Sequence, residues 1–151
     1  MADLILKYPQ GFEEMTKEEL RHYAAGKDVP EKGAQDKDRH ILLTVTKKRF
    51  NPLVTFLADP RNAVATMEGT VSSLLKDHQY EYIDLIEFDV AGEKGSGFLY
   101  AYVNKDTPME GVSMIVKKEK AFYYIRAYFK REIQEEILPM IEEILKEGYW
   151  Q

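Results

Sequence analysis

Four consecutive apolar stretches between Gln79 and Lys130 constrain the fold of this 151-residue chain more than any other feature. They cover Tyr80–Val90, Gly97–Asn104, Val112–Lys118 and Ala121–Lys130. Each stretch is rich in aromatic and β-branched residues, which favour strands. The links between them, such as Ala91–Ser96 and Lys118–Lys120, are short, which favours antiparallel neighbours. We therefore predict a four-stranded meander at the centre of the fold.

Both faces of these strands carry apolar side chains. The run Phe98–Val103, for example, alternates three aromatic residues with three smaller apolar ones. A sheet with one face in water would instead alternate apolar with polar residues. The sequence therefore predicts cover on both sides of the sheet.

The chain before the meander is predicted to form two further strands and two helices. These are strands Leu4–Tyr8 and His40–Thr46, and helices Lys17–Ala25 and Pro60–Lys76. Thr16 and Glu19 have the spacing of a capping box at the start of the first helix. Asp59 suits the N-cap of the second helix, because aspartate is a favoured N-cap residue. Pro60 suits the first helical position, where the N–H that it lacks costs nothing.

A long helix is predicted from Arg131 onward, and it would supply cover for the sheet. Its apolar stripe consists of Ile133, Ile137, Met140, Ile141, Ile144 and Leu145. Pro139 lies inside this helix and removes one backbone hydrogen bond. We therefore expect a kink or a break near Glu135–Leu138.

Two segments have weaker patterns. Gly26–Arg39 is highly charged and has almost no large apolar residue, so we predict a mobile surface loop. Leu53–Ala58 is ambiguous between a strand and one helical turn, and we favour the turn. The predicted fold is a single α+β domain, residues 1–151, with an antiparallel sheet of about six strands sandwiched by helices.

Composition narrows the class of protein. The formal charge of −5 argues against nucleic acid or anionic lipid as the main partner. No apolar run approaches the length of a membrane span, and no signal-peptide pattern opens the sequence. The absence of cysteine fits a reducing compartment. We therefore expect a cytoplasmic protein.

The order of predicted elements, together with Leu6–Phe12, Phe98–Tyr102 and Phe122–Phe129, resembles the PsbP-like superfamily, which includes DcrB-like domains. The resemblance covers nearly the whole chain as a pattern, without a diagnostic motif. It implies an antiparallel sheet between helical layers. It also implies a binding or adaptor module that is not an enzyme.

A cluster of tyrosines is the main functional lead. Provided that the strand registers align, one sheet face would carry Tyr80, Tyr82, Tyr100, Tyr102, Tyr124 and Tyr128, together with Asp84 and Arg126. Tyrosine offers a rigid apolar surface with a polar tip, which suits a partner-binding surface. The plainer interpretation is that tyrosine is simply a favoured strand residue.

Other leads are weaker. His22, His40 and His78 are scattered without the spacing of a metal site, so we predict no metal and no cofactor. Glu87 and Asp89 share a strand face opposite to Asp84 and could form a carboxylate pair. The tail Gly148–Gln151 ends in aromatics that either cap the core or bind a neighbour, and we favour the core.

Three functional hypotheses follow. The leading one is a non-catalytic adaptor that holds a protein partner on a sheet face or edge, with a homodimer left open. The alternative is a small-molecule or lipid carrier with a pocket between sheet and helices. The third is a hydrolase that uses Glu87 or Asp89. A deep cavity would favour the carrier, and a flat aromatic patch over a solid core would favour the adaptor.

Overall fold

The computed structural model describes residues 3–23, 29–49 and 60–151. In chain order its elements are β1 (Leu4–Ile5), β2 (Glu13–Glu14), α1 (Lys17–Arg21), β3 (Lys32–Asp36), β4 (Ile41–Arg49), α2 (Pro60–Leu74), β5 (Glu81–Val90), β6 (Glu93–Asn104), β7 (Thr107–Lys118), β8 (Ala121–Lys130), a short 3₁₀ turn (Arg131–Ile133), α3 (Gln134–Lys146) and β9 (Tyr149–Trp150). The predicted α+β fold is confirmed.

An antiparallel sheet of seven strands forms the centre of the protein, in the order β2-β3-β4-β8-β7-β6-β5. The predicted meander β5-β6-β7-β8 is confirmed, and each strand pairs with the next. The first link is tighter than expected. Ala91 and Gly92 alone connect β5 to β6, and both have positive φ, as the favoured two-residue hairpin turn requires.

One face of the sheet, which we call the α3 face, is a solid apolar core. It presents Leu43, Val45, Val112, Met114, Ile125 and Phe129, all at most 1% exposed. Ile137, Ile141 and Leu145 of α3 pack onto it. These helix residues belong to the predicted stripe, so the sequence correctly located the face that α3 buries.

The opposite face, which we call the tyrosine face, is covered by two separate helices. α2 packs across β6 and β7, and its Val64 and Met67 contact Phe98 and Tyr100. α1 covers the far end, where Leu20 packs with Met15 and Leu42. The prediction of helices on both sides of the sheet is therefore confirmed.

The two ends of the described chain form a second, small sheet. β1 pairs antiparallel with β9, so Leu4 lies opposite Trp150. The Trp150 indole donates to the backbone carbonyl of Ala91 at 3.0 Å and meets the Tyr123 ring edge-on at 5.1 Å. Trp150 therefore packs against the core, as favoured, whereas Tyr149 is 46% exposed.

The predicted loop Gly26–Arg39 is wrong in the middle of its described part, because Lys32–Asp36 forms strand β3. The strand pairs with β4 along its whole length. Its centre is the small pair Gly33 and Ala34, both buried. Small residues fit where Met15 and β4 approach closely, so a buried strand forms here without large apolar side chains.

The break expected at Glu135–Leu138 is also wrong. α3 runs without interruption from Gln134 to Lys146, through Pro139. Pro139 lies near the helix start, and the N–H that it lacks would have paired with the carbonyl of Glu135. Glu135 is exposed, so water can satisfy that carbonyl.

The remaining predicted boundaries differ by a few residues. The capping box is confirmed, with Thr16 and Glu19 bonded reciprocally at 3.0 and 3.2 Å. The predicted first strand shortens to Leu4–Ile5, and the helix from Pro60 ends at Leu74. The turn predicted for Leu53–Ala58 and the N-cap at Asp59 lie outside the described residues. Within the described ranges, no helix is long and apolar enough to cross a membrane.

Candidate functional site

A cleft opens on the tyrosine face in the space between α2 and α1, with a volume of about 490 Å³. The sheet forms its floor through Thr46, Tyr100, Tyr102, Ser113, Tyr124, Arg126 and Tyr128. Met67 and Val71 of α2 contribute the apolar wall with Leu75, which directly follows the helix. Tyr23 and Lys48 also line the cleft. We call this space the tyrosine cleft.

Five of the seven predicted partner-binding residues line the tyrosine cleft, namely Tyr100, Tyr102, Tyr124, Arg126 and Tyr128. Strand alternation and the registers of β6, β7 and β8 bring them together: Tyr128, Gly111 and Tyr100 form one row across three strands. For these five residues the strand registers therefore align, as their prediction on one sheet face required.

Tyr80 and Tyr82 lie apart from the cleft, beside α2. The Tyr80 hydroxyl donates to the Glu68 carboxylate at 2.7 Å, and its ring lies 5.8 Å from Tyr100. Tyr82 stacks on Phe98 at 6.1 Å and is 43% exposed. These two residues anchor β5 to the helix and to the neighbouring strand.

Tyr100 is the central aromatic side chain of the floor, and it is only 2% exposed. Its ring lies over Gly111 on the adjacent strand, where any larger residue would collide with it. The hydroxyls of Tyr100 and Tyr128 lie close enough to interact. Burial raises the pKa of Tyr100 well above its usual value and also raises the pKa of Tyr102. The floor phenols therefore remain neutral hydrogen-bond donors near neutral pH.

Arg126 supplies a positive charge to the floor. It lies between Thr44 of β4 and Ser113 of β7 in the register of the sheet. It is half-buried, and its guanidinium carbon lies 5.8 Å from the centre of the Tyr124 ring. Across the described part of the chain, no carboxylate forms an ion pair with it.

Thr46 is the second polar feature of the floor. It is 6% exposed, and its hydroxyl has no hydrogen-bond partner in the described part of the chain. Sequence reasoning missed it, although a signal existed. In β4 the polar residues Thr44 and Thr46 alternate with Leu43 and Val45, which marks a face that is not purely apolar. The contributions of Tyr23 and of α2 could not be predicted, because they depend on where the helices lie across the sheet.

A bulge in β5 changes the predicted position of the acidic residues. The register shifts between Tyr82 and Asp84, so Asp84 pairs with Leu99 and leaves the tyrosine face. Glu87 is exposed and lies 3.7 Å from Lys94 in an ion pair. The Asp89 carboxylate accepts from the Gly92 N–H at 2.8 Å in the adjoining turn. Both acids lie at a shallow, open surface away from the tyrosine cleft.

The histidines remain dispersed. Nowhere in residues 3–23, 29–49 and 60–151 do three histidine or carboxylate side chains gather as metal ligands. The cleft floor presents phenol, hydroxyl and guanidinium groups, which donate hydrogen bonds and favour an acceptor or an anion.

Solved structures similar to this one share its fold at low sequence identity. Cyanobacterial PsbP from Synechocystis sp. PCC 6803 is 12% identical, with a TM-score of 0.67 over 99% of this chain and 92% of that one. LpqN, involved in cell envelope biogenesis of Mycobacterium tuberculosis, is 10% identical, with a TM-score of 0.63 over 100% and 84%. PA94 from Pseudomonas aeruginosa, a protein of unknown function, is 8% identical, with a TM-score of 0.57 over 93% and 83%.

Neither a protein-family model nor a curated protein sequence matches the chain. The structural similarity extends over nearly the whole chain and includes the sheet and its helical layers. This protein therefore has the PsbP-like α+β fold.

Proposed function

We propose that the protein is a non-catalytic binding protein that holds a small amphipathic organic molecule in the tyrosine cleft. The observation that carries this proposal is the contrast in packing across the sheet. The centre of the α3 face is filled by apolar side chains, and the space of about 530 Å³ at the β4–β8 end of that face is lined mainly by charged residues. The tyrosine face instead leaves a space of about 490 Å³ lined by aromatic and apolar side chains. That volume lies in the range of roughly 300–1,000 Å³ that is typical of small-molecule sites.

The lining of the cleft supports an amphipathic ligand. Aromatic rings and the apolar wall of α2 would contact its apolar body, and hydroxyls would orient its polar end. A flat protein–protein surface is less well supported, because α2 covers Tyr100 and only part of the tyrosine face remains open.

The chemistry of the lining supports binding without catalysis. Within the described residues, the cleft is lined by no histidine and no carboxylate, the groups that most often act as general acids or bases. The floor phenols have raised pKa values because of burial, so they are poor bases near neutral pH. Glu87 and Asp89 lie elsewhere and are open to solvent.

A fluorescent probe tests this function. N-phenylnaphthylamine is neutral and amphipathic, and its emission rises when it enters an apolar site. We expect saturable binding to the wild type, and reduced binding to Thr70→Phe, which places a ring in the cleft. Ser73→Phe is the matched control, because Ser73 is exposed on the same helix and does not line the cleft. Equal binding by the two variants would reject the cleft as the site.

The outer edge of β5 supports a second candidate function, the adaptor. β5 has ten residues and lies at the edge of the sheet, with no described strand on its outer side. Such an edge can accept an extended peptide as an added strand. Its acidic residues Glu81, Asp84, Glu87 and Asp89 are all exposed, which favours a basic partner strand and disfavours pairing with a second copy of β5.

The adaptor is tested with synthetic peptides. An alternating lysine–valine peptide should shift the backbone amide resonances of β5, and an alternating glutamate–valine peptide should not. Leu85→Pro, in the middle of the strand, should abolish the shifts if the backbone pairs. Shifts confined to charged side chains, with unchanged β5 amides, would reject strand addition.

A further inference from the structure

We propose that the tyrosine cleft recognises a monoanionic head group, a carboxylate or a similar oxyanion, held between the guanidinium of Arg126 and the hydroxyl of Thr46. The inference rests on the proposed function, since it names the class of molecule that the cleft holds. It is supported by a set of polar groups in the cleft that find no partner within the described chain.

Among the residues that the structure describes, Arg126 is a cation without a counter-ion. Its neighbours across the sheet are Thr44 and Ser113, which carry no charge, and its nearest aromatic partner is Tyr124. Two other arginines of the described chain pair with carboxylates, namely Arg39 with Asp36 at 2.7 Å and Arg131 with Glu110 at 3.3 Å. A half-buried guanidinium that lacks such a partner attracts an anion, and its planar fork suits two oxygens of one carboxylate.

Thr46 provides an independent indication of a ligand. Its side chain is more than nine-tenths buried, lines the cleft, and has a hydroxyl with no hydrogen-bond partner among the described residues. Buried polar groups are almost always satisfied, so an orphan hydroxyl in a cleft indicates a missing partner. Thr46 lies opposite Tyr124, diagonal to Arg126, so their β-carbons are roughly 7–8 Å apart. One small head group can reach both.

The other polar groups of the floor favour an acceptor as well. Within residues 3–23, 29–49 and 60–151, the Ser113 hydroxyl has only the sulfur of Met67, at 3.9 Å, as a weak partner. Tyr128 and Tyr100 line the floor with phenol O–H groups that can donate to an acceptor. These groups donate hydrogen bonds, and a carboxylate accepts several at once.

The size of the charge and the apolar wall together define the ligand class. Arg126 is the half-buried cation of the floor, and the exposed Lys48, which also lines the cleft, already interacts with other groups. One cation matches a monoanion better than a phosphate dianion. Met67, Val71 and Leu75 then face the remainder of the ligand. We therefore infer an aryl or alkyl carboxylate.

Two isosteric competitors test the inference. Naphthoate and naphthamide share size and shape and differ in charge, and each is titrated against bound N-phenylnaphthylamine or measured by calorimetry. We expect the wild type to prefer naphthoate by at least about tenfold, because charge-assisted hydrogen bonds are the stronger ones. The preference should weaken as salt concentration rises.

The variants assign that preference to residues. Arg126→Gln should remove the preference, because naphthoate affinity falls much more than naphthamide affinity, and Arg126→Lys should retain part of it. Thr46→Val should weaken naphthoate about threefold to tenfold. Arg21→Gln is the matched control, because it makes the same change in charge at an exposed position of α1 away from the cleft.

The outcomes separate the two proposals. If the neutral probes bind and Arg126→Gln leaves the ratio of naphthoate to naphthamide unchanged, the anion site is overturned and the carrier stands. If Arg21→Gln lowers the ratio as much as Arg126→Gln does, the preference reflects overall charge, and the anion site is likewise overturned. If none of the three molecules binds to folded wild-type protein, both proposals fail.

Discussion

The two faces of the central sheet are built from the same strands and differ in what they leave unfilled. On β8, Ile125, Ala127 and Phe129 are completely buried against the α3 face. The residues between them, Arg126 and Tyr128, line the tyrosine cleft. Because strand side chains alternate, adjacent residues of β8 point to opposite faces of the sheet. The core of the α3 face can therefore be altered without changing the side chains that line the tyrosine cleft.

The largest effect is expected from the α3 face. Phe129→Ala would leave a cavity in a core where the native ring is fully buried. We expect the free energy of unfolding to fall by about 3–5 kcal/mol. Urea denaturation measures the loss, and titration of the folded protein with N-phenylnaphthylamine should show nearly unchanged affinity. A parallel loss of affinity in the folded protein would show that the two faces are coupled.

A smaller effect is expected beneath the cleft. In Gly111→Ala the new β-carbon would collide with the ring of Tyr100, so the ring must move into the cleft. We expect a loss of stability of about 1–3 kcal/mol together with weaker probe binding. Gly69→Ala is the matched control on α2, where a β-carbon meets open space, and it should raise stability by about 0.5–1 kcal/mol. Unchanged probe binding in Gly111→Ala would contradict the position assigned to Tyr100.

Alkaline pH should lower the stability of the protein through buried tyrosines on both faces of the sheet. Burial raises the pKa of Tyr123, on the α3 face, to about 12 and raises the pKa of Tyr100 well above its usual value. A group with a raised pKa binds its proton more tightly when folded, so its contribution is complete below about pH 10 and is lost as pH rises. Stability should fall by up to about 1.4 kcal/mol per pH unit for each such phenol.

Removing one phenol hydroxyl from each face distinguishes the two faces. Tyr123→Phe and Tyr100→Phe should each reduce the slope of stability against pH above about pH 10, as followed by thermal denaturation. Only Tyr100→Phe should alter probe binding, because Tyr123 lies outside the tyrosine cleft. Identical slopes in the wild type and both variants would contradict the burial of these phenols.

The smallest effect is expected at Glu110, a carboxylate at the end of β7. Glu110 is 1% exposed, one of its oxygens has no partner, and the other lies 3.3 Å from Arg131. Burial raises its pKa, against the opposing effects of Arg131 and Gln134. Stability is therefore lost as pH rises through that pKa.

Glu110→Gln removes this pH dependence. We expect the variant to match the wild type near pH 4 and to be more stable by about 0.5–1 kcal/mol near pH 7. Melting temperatures at the two pH values measure the difference. A variant that is less stable at the higher pH would mean that the ion pair with Arg131 outweighs the cost of burial.

The sequence was sufficient for features that depend on local chemistry. The meander, the capping box at Thr16 and the stripe of α3 follow from alternation, capping preference and helical periodicity. Strand β3 was missed because its buried centre consists of the small residues Gly33 and Ala34. Such residues give the sequence no alternation of large apolar and polar side chains. The position of Asp84 was missed because the β5 bulge inserts one residue, and nothing in the residues there marks it.

The floor of the cleft was predictable in part. Strand alternation placed five floor residues together, but the cleft itself exists because α1 and α2 cover separate parts of the tyrosine face. Helix placement across a sheet is set by packing between residues far apart in sequence. A single sequence shows which faces are apolar and gives no measure of the space left between two helices.

The pairing of β1 with β9 has a consequence for any attachment to this protein. The backbones of Asp3 and Gln151 bond to each other in both directions, at 3.0 and 2.9 Å. A tag, surface linker or second domain joined at either end would therefore emerge at one place, beside Trp150 and the α3 side of the molecule. Immobilisation through either end would orient the protein alike and would leave the tyrosine cleft, on the other side of the sheet, open to solution.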